Sequence, residues 1–334
     1  MKVNRGKILG VGSPIVDINC QVTPELLKNH AIEPSSALRC SFDELDALRQ
    51  DLNRGAVNCQ MFSGGSAANA MKVLAKIINW EKRNGEFSAA FAGIGGADAD
   101  GEFFRSTHEN EKVDLKYFSN QPNLRSDCCM VLVTPDGERT FRTAIGASAK
   151  MDLDWFRQID FSEFEYVLLE GYIFYNGDFV LEAIDRIIAS GARVVLDLGS
   201  PELVKTFRAE LTQLLSAGKV DIILANSSEA ETFTGVADSC ENCLKLAEFC
   251  RIAVVKVGAD GAWISNDGNL IKIDSEQVDV VDTTGAGDSW AGAFLYGLLA
   301  GKSLTESGSF ANKIAALMVQ NYGTNMELKA DCFL

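Results

Sequence analysis

Short apolar runs alternate with amphipathic segments along most of the chain, a pattern that predicts alternating strands and helices. The apolar runs predict buried strands at residues 7–12, 87–94, 165–170, 193–198, 221–225 and 252–257. Two of the segments between them form apolar helical faces, namely Ala67, Met71, Leu74 and Ile78, and then Val180, Ile184, Ile187 and Ile188. This alternation indicates an α/β fold with parallel connections.

One stretch departs from this alternation and predicts a β-hairpin. Strand-like residues 127–133 and 138–145 flank the turn sequence Thr-Pro-Asp-Gly at 134–137. Residues 15–22 and 37–41 are also strand-like. Together these segments predict a small sheet separate from the main one.

We expect the small sheet to act as a lid. In open α/β sheets, ligands bind outside the carboxyl ends of the strands, and a separate small sheet can cover that edge. We place the lid at about 13–42 and 112–146 and the α/β core in the remainder of a single domain spanning 1–334.

The charge balance argues against polyanionic partners. The 334 residues include 31 Lys and Arg against 46 Asp and Glu, which gives a formal net charge of -15. Such an acidic surface repels nucleic acid and anionic membranes. The longest uncharged apolar stretch, residues 289–301, is too short to span a bilayer. We expect no nucleic-acid or membrane partner, although backbone dipoles can still bind a small phosphate.

The nine cysteines are interpreted as reduced thiols of a cytoplasmic protein. Their number is odd, and the apolar run at 8–16, which loosely resembles a signal peptide, is broken by two glycines and a proline. Cys240 and Cys243 have the spacing of a redox or zinc motif, but a second ligand pair is missing. We therefore expect both to be exposed thiols at a helix start.

Three glycine-rich segments have ordinary structural explanations. Residues 10–14 and 93–98 each lack the third glycine of a dinucleotide fingerprint, which does not favour a dehydrogenase. Residues 297–303 are similar to a Walker A loop, but they are one residue short and follow an apolar helix. We interpret them as a helix terminus at Gly301 followed by a cap at Ser303 or Thr305.

A fourth glycine-rich segment, Asp-Thr-Thr-Gly-Ala-Gly-Asp at 282–288, predicts an anion hole. It follows a strand-like run and opens a helix of small residues. Gly285, Ala286 and Gly287 would leave backbone N–H groups uncovered at the positive end of the helix dipole. Asp288 could then be the general base of phosphoryl transfer, or only a first-turn residue that favours the dipole, and spacing alone leaves both open.

This heptad resembles the C-terminal signature of the ribokinase-like, or PfkB, carbohydrate and nucleoside kinases. Four further segments are similar to motifs of that family: 62–69, 94–101, 226–229 and 256–261. The resemblance covers nearly the whole chain. It implies a three-layer parallel-sheet core with a small β-sheet lid, and transfer of the γ-phosphate of ATP to a primary hydroxyl, with Asp288 as the base.

The resemblance also assigns residues to the acceptor. Asp17 would accept hydrogen bonds from two acceptor hydroxyls. Gly64 and Gly65 would let the backbone approach the sugar, and Asn69 would hydrogen-bond to it. Without the motif, the glycines are explained as a strand-to-helix turn and Asn69 as a helix-surface amide.

On the nucleotide side, the resemblance implies ATP, Mg²⁺ and, in some members, K⁺. The predicted nucleotide-binding residues are Asn226, Lys256, Gly258 and Gly261. Glu229 would hold Mg²⁺ through water, although alone it would be an ordinary first-turn glutamate. The predicted monovalent-cation residues are Asp282 and Thr284, for which a purely structural role is equally compatible.

The sequence specifies the identity of the acceptor substrate less well than the rest of the predicted site. The segments 12–17, 133–140 and 170–172 are more similar to bacterial adenosine-kinase-like members than to ribokinase, which favours a purine nucleoside. Tyr172 and Phe141 could stack on a base or simply pack. The alternatives are a free-sugar kinase of the ribokinase or fructokinase type and a non-catalytic sensor on the same fold. An exposed lid edge could also pair with a second copy of the chain, and the sequence leaves the question of such a homodimer open.

Overall fold

The computed structural model describes residues 6–177 and 179–328. Its strands, in chain order, are β1 (Lys7–Val11), β2 (Ile15–Gln21), β3 (Ala37–Arg39), β4 (Cys59–Ser63), β5 (Ser88–Gly96), β6 (Asp114–Gln121), β7 (Asp127–Val133), β8 (Arg139–Ala144), β9 (Tyr166–Glu170), β10 (Arg193–Asp197), β11 (Ile222–Asn226), β12 (Ile252–Lys256), β13 (Ala262–Asn266) and β14 (Asn269–Ile273).

The α-helices are α1 (Pro24–Asn29), α2 (Phe42–Arg54), α3 (Ser66–Trp80), α4 (Ala99–Asn110), α5 (Leu153–Phe156), α6 (Val180–Ala189), α7 (Pro201–Thr206), α8 (Arg208–Ser216), α9 (Ser227–Thr234), α10 (Ser239–Leu246), α11 (Ala286–Leu299) and α12 (Leu304–Met318). Short 3₁₀ turns lie at Ala147–Lys150, Phe161–Glu163, Gly171–Asn176 and Gly258–Asp260.

Nine strands form the large sheet, in the order β14-β13-β12-β11-β10-β9-β1-β5-β6. The strands from β12 to β6 are parallel, which confirms the α/β class. At the other edge, β13 and β14 add an antiparallel hairpin that the sequence analysis did not predict. Its tight turn at Asp267 and Gly268, both with positive φ, is a local hairpin signal.

The two faces of the large sheet carry separate apolar clusters. Along β1, Ile8 belongs to the cluster that α3, α11 and α12 complete, whereas its neighbour Leu9 belongs to the cluster under α6 and α8. Both side chains are fully buried. This period of two explains why strands of a doubly covered sheet are apolar at nearly every position.

The second sheet has five strands in the order β3-β8-β7-β2-β4. The predicted hairpin is its β7 and β8 pair. The observed small sheet differs from the predicted lid at two strands, β4 and β6. The segment 112–146 includes β6, which pairs with β5 of the large sheet, and the small sheet gains β4 as an edge. Both strands are largely exposed or half-buried, as expected at sheet edges; Leu115 and Tyr117 of β6 do alternate with Asp114 and Lys116, but this alternation does not specify which sheet the strand joins.

Two expectations about cysteines were wrong. Cys20 and Cys59, interpreted as reduced thiols, are disulfide-bonded; they are cross-strand neighbours of β2 and β4, separated by 39 residues of sequence. Cys243, expected to be exposed, is fully buried in α10 with its thiol facing the Ala253 carbonyl. Cys240 is half-buried. Tertiary pairing and packing, which spacing does not reveal, decide both outcomes.

The interpretation of residues 297–303 is confirmed. Gly301 has a φ of 73°, and Ser303 caps α12 in a capping box with Glu306. Across the described ranges, no helix combines the length and hydropathy that a bilayer-spanning segment needs.

Candidate active site

Helix α11 begins beside a turn that favours glycine. Gly285 has a φ of 73°, in the left-handed region, and a Cβ there would lie 3.0 Å from Thr324 Cγ2. The Ala286 N–H has only a long bond, 3.3 Å, to a carbonyl of the preceding turn. No acceptor among the described residues bonds the N–H groups of Gly287 and Asp288. Such donors at the positive end of a helix dipole suit an anion.

Two side chains at the start of α3 hold Asp288. Its Oδ1 accepts a hydrogen bond from Ser66 Oγ at 2.7 Å, and its Oδ2 accepts one from Asn69 Nδ2 at 2.9 Å. Burial raises the pKa of Asp288, against the lowering effect of these two bonds. A carboxylate with a raised pKa accepts a proton more readily. Ser66 was not among the predicted site residues, although it lies in the segment 62–69 that resembles a family motif.

Asn69 therefore contacts Asp288 in addition to its predicted role toward the acceptor. Its Nδ2 is used by Asp288, whereas its buried Oδ1 has no partner among the described residues. An unpaired amide oxygen in a buried position is costly unless a ligand or water completes it. This oxygen suits a hydroxyl donor.

Asp17 lies on β2 with its carboxylate against the Gly64 turn. A Cβ on Gly64 would come within 2.3 Å of Asp17 Oδ2, so this approach requires glycine. Gly65, with a φ of 93°, directly precedes α3. No described residue hydrogen-bonds to the Asp17 side chain, and burial followed by repulsion from Asp288 raises its pKa to about 7. Both carboxylate oxygens are therefore available to a ligand.

A cavity of about 70 Å³ opens beside Asp17, between the small sheet and the 282–288 segment. One carboxylate and several apolar side chains share its wall, which is formed by Asp17, Asn19, Phe62, Cys129, Val131, Phe141, Thr284 and Gly323. Phe141 therefore lines the cavity beside Asp17, a position compatible with either of its predicted roles, stacking on a base or packing. Tyr172 does not line this cavity; it is 39% exposed and lies against Gly199.

A larger cavity of about 450 Å³ adjoins Asp288. The four predicted nucleotide-binding residues line it together: Asn226, Lys256, Gly258 and Gly261. They come from the ends of β11 and β12 and from the turn that follows β12. The carboxyl ends of these neighbouring parallel strands meet at one edge, which brings together residues about thirty positions apart.

Lys256 brings a positive charge close to the anion hole. Its Nζ donates to Asp197 Oδ2 at 3.1 Å, and a Cβ on Gly287 would lie 3.3 Å from that Nζ. Burial acts to lower the pKa of Lys256, but the charges of Asp197 and Glu229 outweigh it and the pKa is raised. Lys256 therefore stays cationic beside the start of α11.

Glu229 is part of a capping box that starts α9. Its two oxygens accept from the Asn226 N–H at 2.8 Å and from Asn226 Nδ2 at 2.6 Å. Burial and then repulsion from Asp197 raise the pKa of Glu229 to about 7. The described residues contain no cluster of three or more acidic, His or Cys groups that could cage a metal. A magnesium ion that keeps its water shell and meets Glu229 and Asp197 through water fits this set.

The predicted monovalent-cation residues are bound to an arginine of the small sheet. Asp282 Oδ1 accepts from Arg139 Nη2 at 2.6 Å and from the Thr284 N–H at 2.8 Å, and Arg139 Nη1 donates to Thr284 Oγ1 at 2.8 Å. The Asp282 side chain is 1% exposed. The guanidinium already supplies a positive charge here, so the bonded set does not favour a further cation, and we assign no step to K⁺.

Glu170, at the carboxyl end of β9, has a structural role that the sequence analysis missed. Its carboxylate accepts from the Ser13 N–H at 2.7 Å and from the Ala67 N–H at 3.1 Å, joining the end of β1 to the first turn of α3. A Cβ on Gly12 would lie 2.2 Å from it. Burial raises the pKa of Glu170 to about 7. The sequence signal for this role is a glutamate at the end of an otherwise apolar, buried strand.

Comparison with known proteins agrees with this geometry. The model of the pfkB family of carbohydrate kinases matches residues 37–330. The chain belongs to this family, which confirms the resemblance seen in the sequence, and the protein is a kinase.

Individual relatives include both adenosine and sugar kinases. The chain is 24% identical over 343 residues to an adenosine kinase of Schizophyllum commune, covering 95% of this chain and 96% of the relative. It is 28% identical over 236 residues to an uncharacterized sugar kinase of Archaeoglobus fulgidus, covering 70% and 92%. The crystal structure of adenosine kinase from Sinorhizobium meliloti superposes with a TM-score of 0.81, at 26% identity and 97% coverage of each chain.

Proposed function

We propose that this kinase transfers the γ-phosphoryl group of ATP to a primary hydroxyl of a purine nucleoside or a sugar. The observation that carries the proposal is the position of Asp288. Its carboxylate lines the larger cavity, next to unbonded N–H groups, and is held by the same α3 turn that approaches Asp17. A proton acceptor and an anion site then meet at one point, as in-line phosphoryl transfer requires.

In the proposed reaction the acceptor hydroxyl attacks the γ-phosphorus while Asp288 takes the hydroxyl proton. The new O–P bond forms as the bond to the β,γ-bridging oxygen breaks, and ADP leaves with that electron pair. The N–H groups of Ala286, Gly287 and Asp288 face the transferring group, whose charge they stabilise, together with the ammonium of Lys256. Asp17 and the Asn69 Oδ1 would orient the acceptor hydroxyls.

Mg²⁺ would neutralise charge on the β- and γ-phosphates. The residues that would hold it are Glu229 and Asp197, each through water, because both line the larger cavity and neither belongs to a cage of direct ligands. Their protein contacts already fix their positions: Asn226 holds Glu229 and Lys256 holds Asp197.

For the acceptor, a purine nucleoside is our first candidate and a free sugar the second. The adenosine kinase relative spans nearly the full chain, whereas the sugar kinase relative covers less of it. The side chains of Phe62, Val131 and Phe141 give the cavity beside Asp17 an apolar wall, although its volume of about 70 Å³ is smaller than a nucleoside-sized pocket. A non-catalytic sensor is not favoured, because Asp288 and its glycine turn are intact.

The deciding experiment is a panel of nucleosides and free sugars with Mg-ATP, read as ADP release and as phosphorylated product. Purine nucleosides should give the highest kcat/KM, and excess EDTA should abolish turnover. A best substrate among the free sugars would establish the second candidate. ATP hydrolysis without any phosphorylated acceptor would contradict the proposal. We place this activity in the cytoplasm, where ATP is supplied.

A homodimer through the small sheet stays a proposal. Leu38 on β3 and Met61 on β4 are 53% and 41% exposed, and these strands are the two edges of that sheet. Sedimentation velocity of the wild type and of Leu38→Lys would show whether an edge-dependent dimer exists.

A further inference from the structure

Helix α3 carries a fully buried lysine behind the candidate active site. Lys72 is 1% exposed, and its Nζ donates to Ser63 Oγ at 3.0 Å and to Thr324 Oγ1 at 3.1 Å. No carboxylate of the described residues forms an ion pair with it. An ammonium buried against hydroxyls alone is rare, because desolvation disfavours its charge. Packing does not explain why this position holds a cation.

The two hydroxyls belong to the two segments that frame the site. Ser63 ends β4, directly before the Gly64 turn that meets Asp17. Thr324 lies 3.0 Å from the Cβ position of Gly285, and its Oγ1 also donates to the Ser63 carbonyl at 3.2 Å. The ammonium therefore joins the acceptor turn to the segment that supports the anion hole.

The same ammonium acts electrostatically on Asp17. Burial and the charge of Asp288 raise the pKa of Asp17, and the charge of Lys72 lowers it. The thiols of Cys128 and Cys129 on β7 also interact with Asp17, and burial raises their pKa values well above the usual thiol range. Both thiols are neutral near pH 7, so they do not replace the charge of Lys72.

Charged groups also face Lys72 from other elements. Burial lowers its pKa to about 8; Lys76 adds to the lowering, and Glu111, Asp17 and Asp288 oppose it. His108 on α4, whose pKa burial lowers to about 4, is neutral at pH 7. Lys72 is therefore mainly cationic at neutral pH.

We propose that Lys72 is a positioning residue of the acceptor site. Its hydrogen bonds hold the Ser63–Gly64 turn against Thr324, and its charge offsets the repulsion between Asp17 and Asp288. A larger fraction of Asp17 is then ionised near pH 7, and its carboxylate is placed to accept two hydroxyl hydrogen bonds while Asp288 receives the proton. This inference rests on the proposed kinase function.

The test is the pH dependence of kcat/KM for the best acceptor at saturating Mg-ATP. Lys72→Met removes charge and donors, whereas Lys72→Gln keeps an N–H donor without the charge. In both variants the acidic midpoint should move upward by about 0.5–1 pH unit, because a nearby cation no longer favours the carboxylate. The acceptor KM should rise more than the ATP KM. A merely structural lysine would lower activity without moving the midpoint.

Two control variants separate charge from geometry. Thr324→Val keeps the ammonium but removes two hydrogen bonds, the one from Lys72 and the one to the Ser63 carbonyl, so kcat should fall roughly 3- to 10-fold with the midpoint unchanged. Lys76→Met removes a cation one turn further along α3, where it pairs with Glu111, and should leave the midpoint and kcat close to wild type.

The outcomes distinguish this inference from the proposed function. If the wild type phosphorylates no acceptor, the proposed function is wrong and the inference fails with it. If the wild type is active but Lys72→Gln keeps its midpoint and its acceptor KM, only the role of Lys72 is overturned. Should neither Lys72 variant fold by circular dichroism, a Thr324→Val enzyme with wild-type kcat would overturn the role instead.

Discussion

Asp288, a buried side chain that lines the larger cavity, is the residue on which the proposed reaction depends. Asp288→Asn keeps the shape and the start of α11, and its amide can still bond Ser66, but it cannot take the hydroxyl proton. We expect kcat to fall by roughly 10²- to 10⁴-fold. Calorimetric titration with ATP and with the acceptor should show binding close to wild type.

The matched control for Asp288→Asn is Asp185→Asn, which removes an exposed carboxylate of α6 that is paired with Lys219. It should keep wild-type turnover. An Asp288→Asn enzyme with a near wild-type rate would mean that the carboxylate only starts the helix.

A second residue-scale prediction concerns Asp17. If its two oxygens accept hydrogen bonds from hydroxyls of the acceptor substrate, Asp17→Ala removes charge-assisted hydrogen bonds worth roughly 1.5 to 3 kcal/mol each. Acceptor KM should rise at least tenfold while ATP KM changes little, and a deoxy acceptor should reproduce part of the loss with the wild type. Unchanged acceptor KM in steady-state kinetics would limit Asp17 to supporting the end of β2.

At the scale of elements, the start of α11 has glycine at two positions where a side chain would be crowded. A side chain at Gly287 would point at Lys256, since even a Cβ would lie 3.3 Å from its Nζ. Gly287→Val should therefore obstruct the anion hole, lowering kcat at least 10²-fold and raising ATP KM. Gly268→Ala, at a β13–β14 turn with open space around its Cβ, is the control for a strained turn and should leave kinetics unchanged.

The small sheet is tied to the anion-hole segment by Arg139 of β8. Arg139→Met would leave the buried Asp282 carboxylate without its guanidinium, and losing one partner of such a pair costs about 3–5 kcal/mol when fully buried. We expect a lower melting temperature and lower kcat. Wild-type turnover should be equal in NaCl and KCl, whereas the variant should gain from K⁺; a K⁺ requirement in the wild type would contradict this account.

For the whole molecule, buried carboxyls make stability depend on pH. Asp17 and Glu170 have pKa values raised to about 7 in the folded state, above their unfolded values. The folded protein therefore binds more protons between about pH 4 and pH 7, and the stability that these groups contribute is lost as pH rises through 7. The melting temperature of the apoprotein should fall between pH 5.5 and pH 8.

Glu170→Gln isolates one of these groups, because the amide oxygen can still accept from the Ser13 or Ala67 N–H. The free energy of unfolding should therefore fall less between pH 5.5 and pH 8 in the variant than in the wild type, by on the order of 2 kcal/mol. Denaturant titrations at both pH values measure it. An equal slope in wild type and variant would show that Glu170 keeps an ordinary pKa.

The sequence by itself determined the features that local physics encodes. Apolar runs of strand length gave the parallel core from β1 to β12, and the glycine spacing at 282–288 gave the start of α11, because a left-handed residue before a helix favours glycine. Capping at Ser303 was equally local. The edge strands β4 and β6 were not assigned correctly: β4 buries only its last two residues, and the alternation of β6 does not specify that it pairs with β5.

Only the tertiary structure decided which distant groups meet. Asn69 reaches Asp288 across 219 residues, Arg139 reaches Asp282 across 143, and Cys20 meets Cys59 across two strands. Nothing in the spacing of such residues specifies a contact, because the contact depends on strand order and on the register between elements. The same reason applies to Lys72: the sequence shows a lysine on a helix, and only packing places its charge behind the proposed acceptor site.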